Sequence, residues 1–173
     1  RGNSTTIRYF WMDIKTLYLI RTPHQMEFGL ILQSLGEFSS GIFTGGALYI
    51  SLVQHPAFSA TLKSSEEYTA YFPAFCSRAG QLQRSLAALS SIAFLASFYL
   101  DPARHWRKLV AGILMGSVIP YSLAFVIPIN KQFQKTAPTP TKPYPTLFAT
   151  WGKLHWVRTF AGLIAFSLSV WRK

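Results

Sequence analysis

Trp151, His155, Arg158 and Gly162 follow the spacing i, i+4, i+7, i+11 and share one helix face. A charge such as Arg158 inside an apolar run should face a bundle interior or a water-filled cavity with a partner, or snorkel to the headgroups. Glu37, Gly41, Thr44 and Leu48 make a second stripe, and His55 returns to its face. Tyr121 follows Pro120, which removes a backbone bond to Gly116 and should kink its helix. Asn130 closes the run Pro128-Ile129-Asn130. Trp151, Trp156, Tyr49 and Tyr71 are candidate aromatic walls of a pocket, or members of an interfacial belt.

The elements that must position these residues are four apolar runs, residues 28–53, 82–100, 109–127 and 154–171. Each has the length a helix needs to cross a bilayer core, and backbone in lipid must satisfy its own hydrogen bonds. Four spans place both termini on one side, A, and the long loops on the other, B. His55, Asn130, Arg84, Gln81, His155 and Arg158 then share the B level. Glu37 lies towards A, with an axial gap to Arg158 of about 12 Å by helix rise. Gly41, Gly45 and Gly46 allow close helix approach.

Composition agrees. The 173 residues are room for one domain; 50% are hydrophobic and only 13% charged, against about 25% charged in soluble domains. The net charge of +11 sits at the ends of the apolar runs, at residues such as Arg107, Lys108, Lys131 and Lys153. That placement suits lipid headgroups and not nucleic acid. Cys76 is the single cysteine. The expected fold is all-α: a four-helix transmembrane bundle (25–173) behind an N-terminal arm (1–24). The arm carries an interfacial amphipathic helix over residues 7–21, ended by Pro23. Residues 55–81 read as a polar loop with a short helix, and 131–152 as an extended, proline-rich stretch. No internal repeat is evident. Basic residues divide evenly between the sides, so charge gives no orientation.

No phosphate loop, nucleophile elbow or cysteine cluster occurs. His55 and His155, with Glu66 or Glu67 folding back to join them, are the basis for a metal, and the two histidines for a haem; neither pattern specifies one, and no cofactor is expected. The expected location is a membrane, with organelle membranes (mitochondrial or plastid) as candidates.

The chain resembles the anthrone-oxygenase-like membrane family, which includes noranthrone monooxygenases. The resemblance rests on Ser40 through Tyr49 leading to His55-Pro56-Ala57, on Pro120-Tyr121-Ser122 through Pro128-Ile129-Asn130, and on Trp151 through His155 to Arg158. It implies a four-helix membrane fold and oxygenation of an activated aromatic CH2 without a bound cofactor. His155 would be the base, with His55 as the alternative. Arg158 and Asn130 would stabilise the oxyanion, and Glu37, Thr44, Tyr121 and Trp151 would line the pocket. A different class is also open: a non-catalytic accessory subunit, docked in a larger membrane complex through the arm and the proline-rich loop.

Overall fold

The computed structural model describes residues 23–62, 64–134 and 143–171, and these are almost entirely helical. The chain divides into two compact units, Arg1–Ile31 and Leu32–Lys173. The candidate site lies wholly in the second. The interfacial helix expected over residues 7–21 lies outside the described residues.

Four helical rods account for the described residues. The first is α1 (Pro23–Tyr49), a π turn (Ile50–Gln54) and α2 (His55–Thr61) in unbroken succession. Next comes α3 (Ser65–Leu100). The third rod is α4 (Pro102–Tyr121), a second π turn (Ser122–Val126) and α5 (Ile127–Lys131). The last is α6 (Tyr144–Val170).

Each π turn stands just ahead of an X-Pro pair, His55-Pro56 and Ile127-Pro128. A proline has no N–H, and its ring presses on the carbonyl four residues back. Widening the helix by one residue moves that carbonyl aside. The N–H of His55 accordingly reaches back to Ile50 O, and that of Ile127 to Ser122 O. The prolines therefore widen the rods without ending them.

Two sequence expectations are corrected. Residues 55–81 are not a loop. Ser64 accepts from the Glu67 N–H while the Glu67 carboxylate accepts from the Ser64 N–H, a capping box that starts α3 at Ser65. The proline-rich stretch becomes helical from Tyr144, because Pro143 and Pro145 fall at the N-cap and first turn, where proline is tolerated.

The structure also exposes an internal repeat that residue-by-residue reading misses. One constant interval separates the two π turns, Tyr49 from Tyr121, Pro56 from Pro128, Pro73 from Pro145 and Gly80 from Gly152. The same interval separates Ile92-Ala93-Phe94 from Ile164-Ala165-Phe166. Each half is thus a two-rod hairpin with its first rod widened ahead of a proline. Gln83 and His155 are equivalent positions, as are Leu86 and Arg158, so the His155–Arg158 pair belongs to the second copy.

The rods pack in a ring. Gly46 makes room for Gln83 between α1 and α3, and Gly112 for Leu95 between α3 and α4. Lys108 donates to Ser169 O across α4 and α6, and Gly162 lies against Phe43 and Thr44 across α6 and α1. Of the glycine stripe on α1, Gly41 meets Phe166, Gly46 meets Gln83, and Gly45 is open. The interior mixes Phe43, Phe94, Met115 and small residues with Ser39, Ser90, Ser97 and Thr159. Most of the buried hydroxyls donate to carbonyls three or four residues back, as Ser90 does to Leu86 O. One described helix, Trp106–Lys131, is long and apolar enough to cross a membrane, with mean hydropathy 2.0.

Candidate functional site

A small cleft of about 30 Å³ opens between α3, the second π turn with α5, and α6. Cys76, Gln83 and Arg84 line it from α3, Ser122 and Asn130 from the third rod, and Trp151, His155 and Arg158 from α6. Ile50 in the first π turn closes its inner side. Its lining, an apolar wall with a few convergent polar groups, is of the kind that small-molecule sites use.

His155 is 2% exposed. Its Nδ1 lies 3.0 Å from Ser51 Oγ, and Ser51 Oγ lies 2.9 Å from Thr159 Oγ1. Thr159 in turn reaches the carbonyls of His155 (3.1 Å) and Ala47 (3.4 Å). With the single Thr159 proton on the His155 carbonyl, the Thr159 oxygen accepts from Ser51. The Ser51 hydroxyl, having given its proton to Thr159, accepts from Nδ1–H. This direction leaves Nε2 as the unprotonated nitrogen of a neutral imidazole. Nε2 has no hydrogen-bond partner among the described residues and is the ring nitrogen left for the cleft.

Arg158 is 6% exposed and donates from Nη2 to Gln83 Oε1 at 3.2 Å. Gln83 is itself held by donation from Nε2 to Phe43 O at 3.4 Å. Arg158 Nε is buried without a partner among the described residues, and so is Trp151 Nε1. Both side chains line the cleft. Buried donors are rarely left unmet, so the site has unfilled capacity for acceptor oxygens.

The remaining expected residues fall in different places. Asn130 lines the cleft, and its Oδ1 lies 3.6 Å from Cys76 Sγ. Burial pushes the Cys76 thiol up to about 12, against the opposing pull of the Arg158 charge. His55 does not line the cleft. Its Nε2 donates to Phe148 O at 3.0 Å, and its ring stacks on Phe148 and Trp151. Tyr121 donates to Leu154 O, and Thr44 to Ser40 O. Glu37 pairs with Lys108 and also accepts from Gln33, well away from Arg158. Among the described residues no three His, Cys, Asp or Glu side chains gather as metal ligands. His55 and His155 each commit one ring nitrogen to the protein, and both stack on Trp151.

The repeat explains why the cleft is on one side only. A Cβ on Gly152 would overlap the His55 ring at Nε2, whereas a Cβ on Gly80 would meet only the flexible end of Arg84, at 3.1 Å. The His55 ring plugs the groove beside Gly152. Its equivalent Ile127 lines the open cleft beside Gly80. Gly152→Ala is therefore expected to destabilise the fold by about 1–3 kcal/mol through overpacking. Gly80→Ala is expected to change it by less than about 0.5 kcal/mol. Thermal unfolding of both variants in detergent checks the contrast.

The sequence model of anthrone oxygenases matches residues 72–168, more than half of the chain. The chain belongs to the anthrone oxygenase family. Comparison with curated proteins and with solved structures returns no match. The stretch matched by the family contains Gln83, Asn130, Trp151, His155 and Arg158, while Ser51 and His55 lie before it. Sequence reasoning missed Gln83, Ser51 and Thr159. A glutamine inside an apolar run, a serine one turn before His55 and a threonine one turn after His155 were the available signals.

Proposed function

We propose that the protein is a membrane-integral oxygenase acting on an anthrone-like aromatic, with His155 as the base. The observation that carries this reading is His155, held at Nδ1 by Ser51 with Nε2 unbonded among the described residues, at a cleft where Arg158 Nε also lacks a partner. An anthrone CH2 is acidic because its conjugate base is an aromatic enolate. Nε2 takes the proton, and the guanidinium stabilises the enolate oxygen. Asn130, whose amide oxygen faces the Cys76 thiol, has its NH2 group left to assist. The electron-rich enolate then reacts with O2 without help from a bound cofactor.

Four membrane spans fit the pattern of exposure. Each rod presents large apolar side chains outward, among them Phe38, Ile92, Ile113, Leu123, Phe160 and Ile164. Only 33% of the most apolar window of Trp106–Lys131 is buried, unlike the core helix of a soluble bundle. The serines and threonines that lower the mean hydropathy of the other rods largely face inward and donate locally. Membership of an oxygenase family favours catalysis over a purely structural role as an accessory subunit.

The purified chain in lipid nanodiscs, supplied with an anthrone in air, is expected to yield the quinone with one O2 consumed per molecule. Conversion no faster than in protein-free nanodiscs would overturn the proposal.

A further inference from the structure

Trp151 has a second feature that the base-and-oxyanion reading leaves unused. Its indole is 4% exposed, it lines the cleft, and its Nε1–H is buried with no acceptor among the described residues. A buried indole N–H ordinarily finds one. The ring is held firmly: it stacks on His155 at 5.0 Å and on Phe148 at 6.0 Å, and meets Phe72 edge-on at 5.2 Å. Rotation to seek another partner would break all three contacts. The acceptor must therefore come from what occupies the cleft.

Position narrows its identity. Along α6 the order is Trp151, His155, Arg158, with axial steps of about 6 Å and about 4.5 Å by helix rise. A carbon acid set against His155 Nε2 with its carbonyl oxygen at Arg158 lies towards one end of this row. The other end, at Trp151, is open to whatever forms on the carbon that loses its proton. In the proposed reaction that is a peroxide.

We infer that Trp151 is a catalytic residue of the oxygen step, its Nε1–H donating to the distal oxygen of the peroxide formed on the substrate carbon. The inference rests on the oxygenase reading above. His155 Nε2 takes one CH2 proton. The enolate gives one electron to O2, and the resulting radical and superoxide join in a C–O bond. The His155 proton passes to the distal oxygen and gives a hydroperoxide. Loss of the second C–H proton, with cleavage of the O–O bond, leaves the carbonyl and releases hydroxide, which takes up that proton to form water. The net change is CH2 plus O2 to C=O plus H2O. The indole N–H stabilises the negative charge on the distal oxygen twice: when the peroxide forms and when hydroxide leaves.

The test separates the two halves of the reaction. Trp151→Phe keeps an aromatic ring in the stack and removes only the donor. Anaerobic exchange of the anthrone CH2 protons with D2O reads proton abstraction; quinone formation in air reads the whole sequence. The expected result is exchange within about twofold of the unsubstituted protein and a turnover lower by on the order of 10²-fold. Trp151→Tyr, with its hydroxyl at the far end of the ring, is expected to show the same split and guards against a folding defect in either variant. Unchanged turnover, or equal losses in exchange and turnover, would overturn the role of Trp151. Absence of exchange in the unsubstituted protein would instead overturn the base reading, and with it the foundation of this one.

Discussion

His155→Ala is expected to lose turnover by about 10²–10⁴-fold, the usual contribution of a positioned general base, with little loss of fold. Ser51 and Thr159, which lie 2.9 Å apart, still bond each other in the variant, so no hydroxyl is orphaned. His55→Phe supplies the contrast. That ring packs on Phe148 and Trp151 and gives its Nε2 proton to a backbone carbonyl. Its loss costs one hydrogen bond and leaves turnover within a few-fold. Steady-state rates of both variants, alongside their melting curves, decide between the two histidines. A His55 variant that loses as much as the His155 variant would reverse the assignment.

The second large effect concerns stability. Glu37 and Lys108 form an ion pair of 2.6 Å with side chains 17% and 6% exposed, and Lys108 also donates to Ser169 O at 2.6 Å. Three rods, carrying α1, α4 and α6, are tied at this point. Glu37→Gln or Lys108→Met breaks this largely buried ion pair and is expected to cost about 3–5 kcal/mol. Replacing both, Glu37→Leu with Lys108→Met, is expected to cost less than either single change, because no uncompensated charge remains. Thermal or denaturant unfolding in detergent measures the cycle. A double variant as unstable as the two single losses combined would show that the pair is not coupled.

Much of the architecture was legible in the apolar runs, because length and lack of charge constrain a helix whatever it packs against. The rod boundaries were less so. A proline reads as a stop, yet Pro56 and Pro128 sit inside continuous rods because a π turn makes room for each. Ser64 and Glu67 were visible, but as loop residues; their reciprocal bonds make them a helix start. At the site, helical spacing on α6 was enough to put Trp151, His155 and Arg158 on one face of the cleft. Pairing across rods was harder, because it depends on rotation as well as depth. Glu37 was placed within reach of Arg158 only through an intermediary, while Lys108, on a different rod, holds it. Gln83, not a carboxylate, meets the guanidinium, and a neutral partner leaves Arg158 its charge for an anion.

Anaerobic proton exchange most directly tests the central claim, that Nε2 of a neutral His155 removes the substrate proton. With O2 excluded, an anthrone in D2O is incubated with the protein in nanodiscs, and loss of the CH2 signal is followed by proton NMR. Exchange is expected to be faster than in empty nanodiscs and to fall to that background in His155→Ala. Equal exchange by the unsubstituted protein and His155→Ala would contradict it.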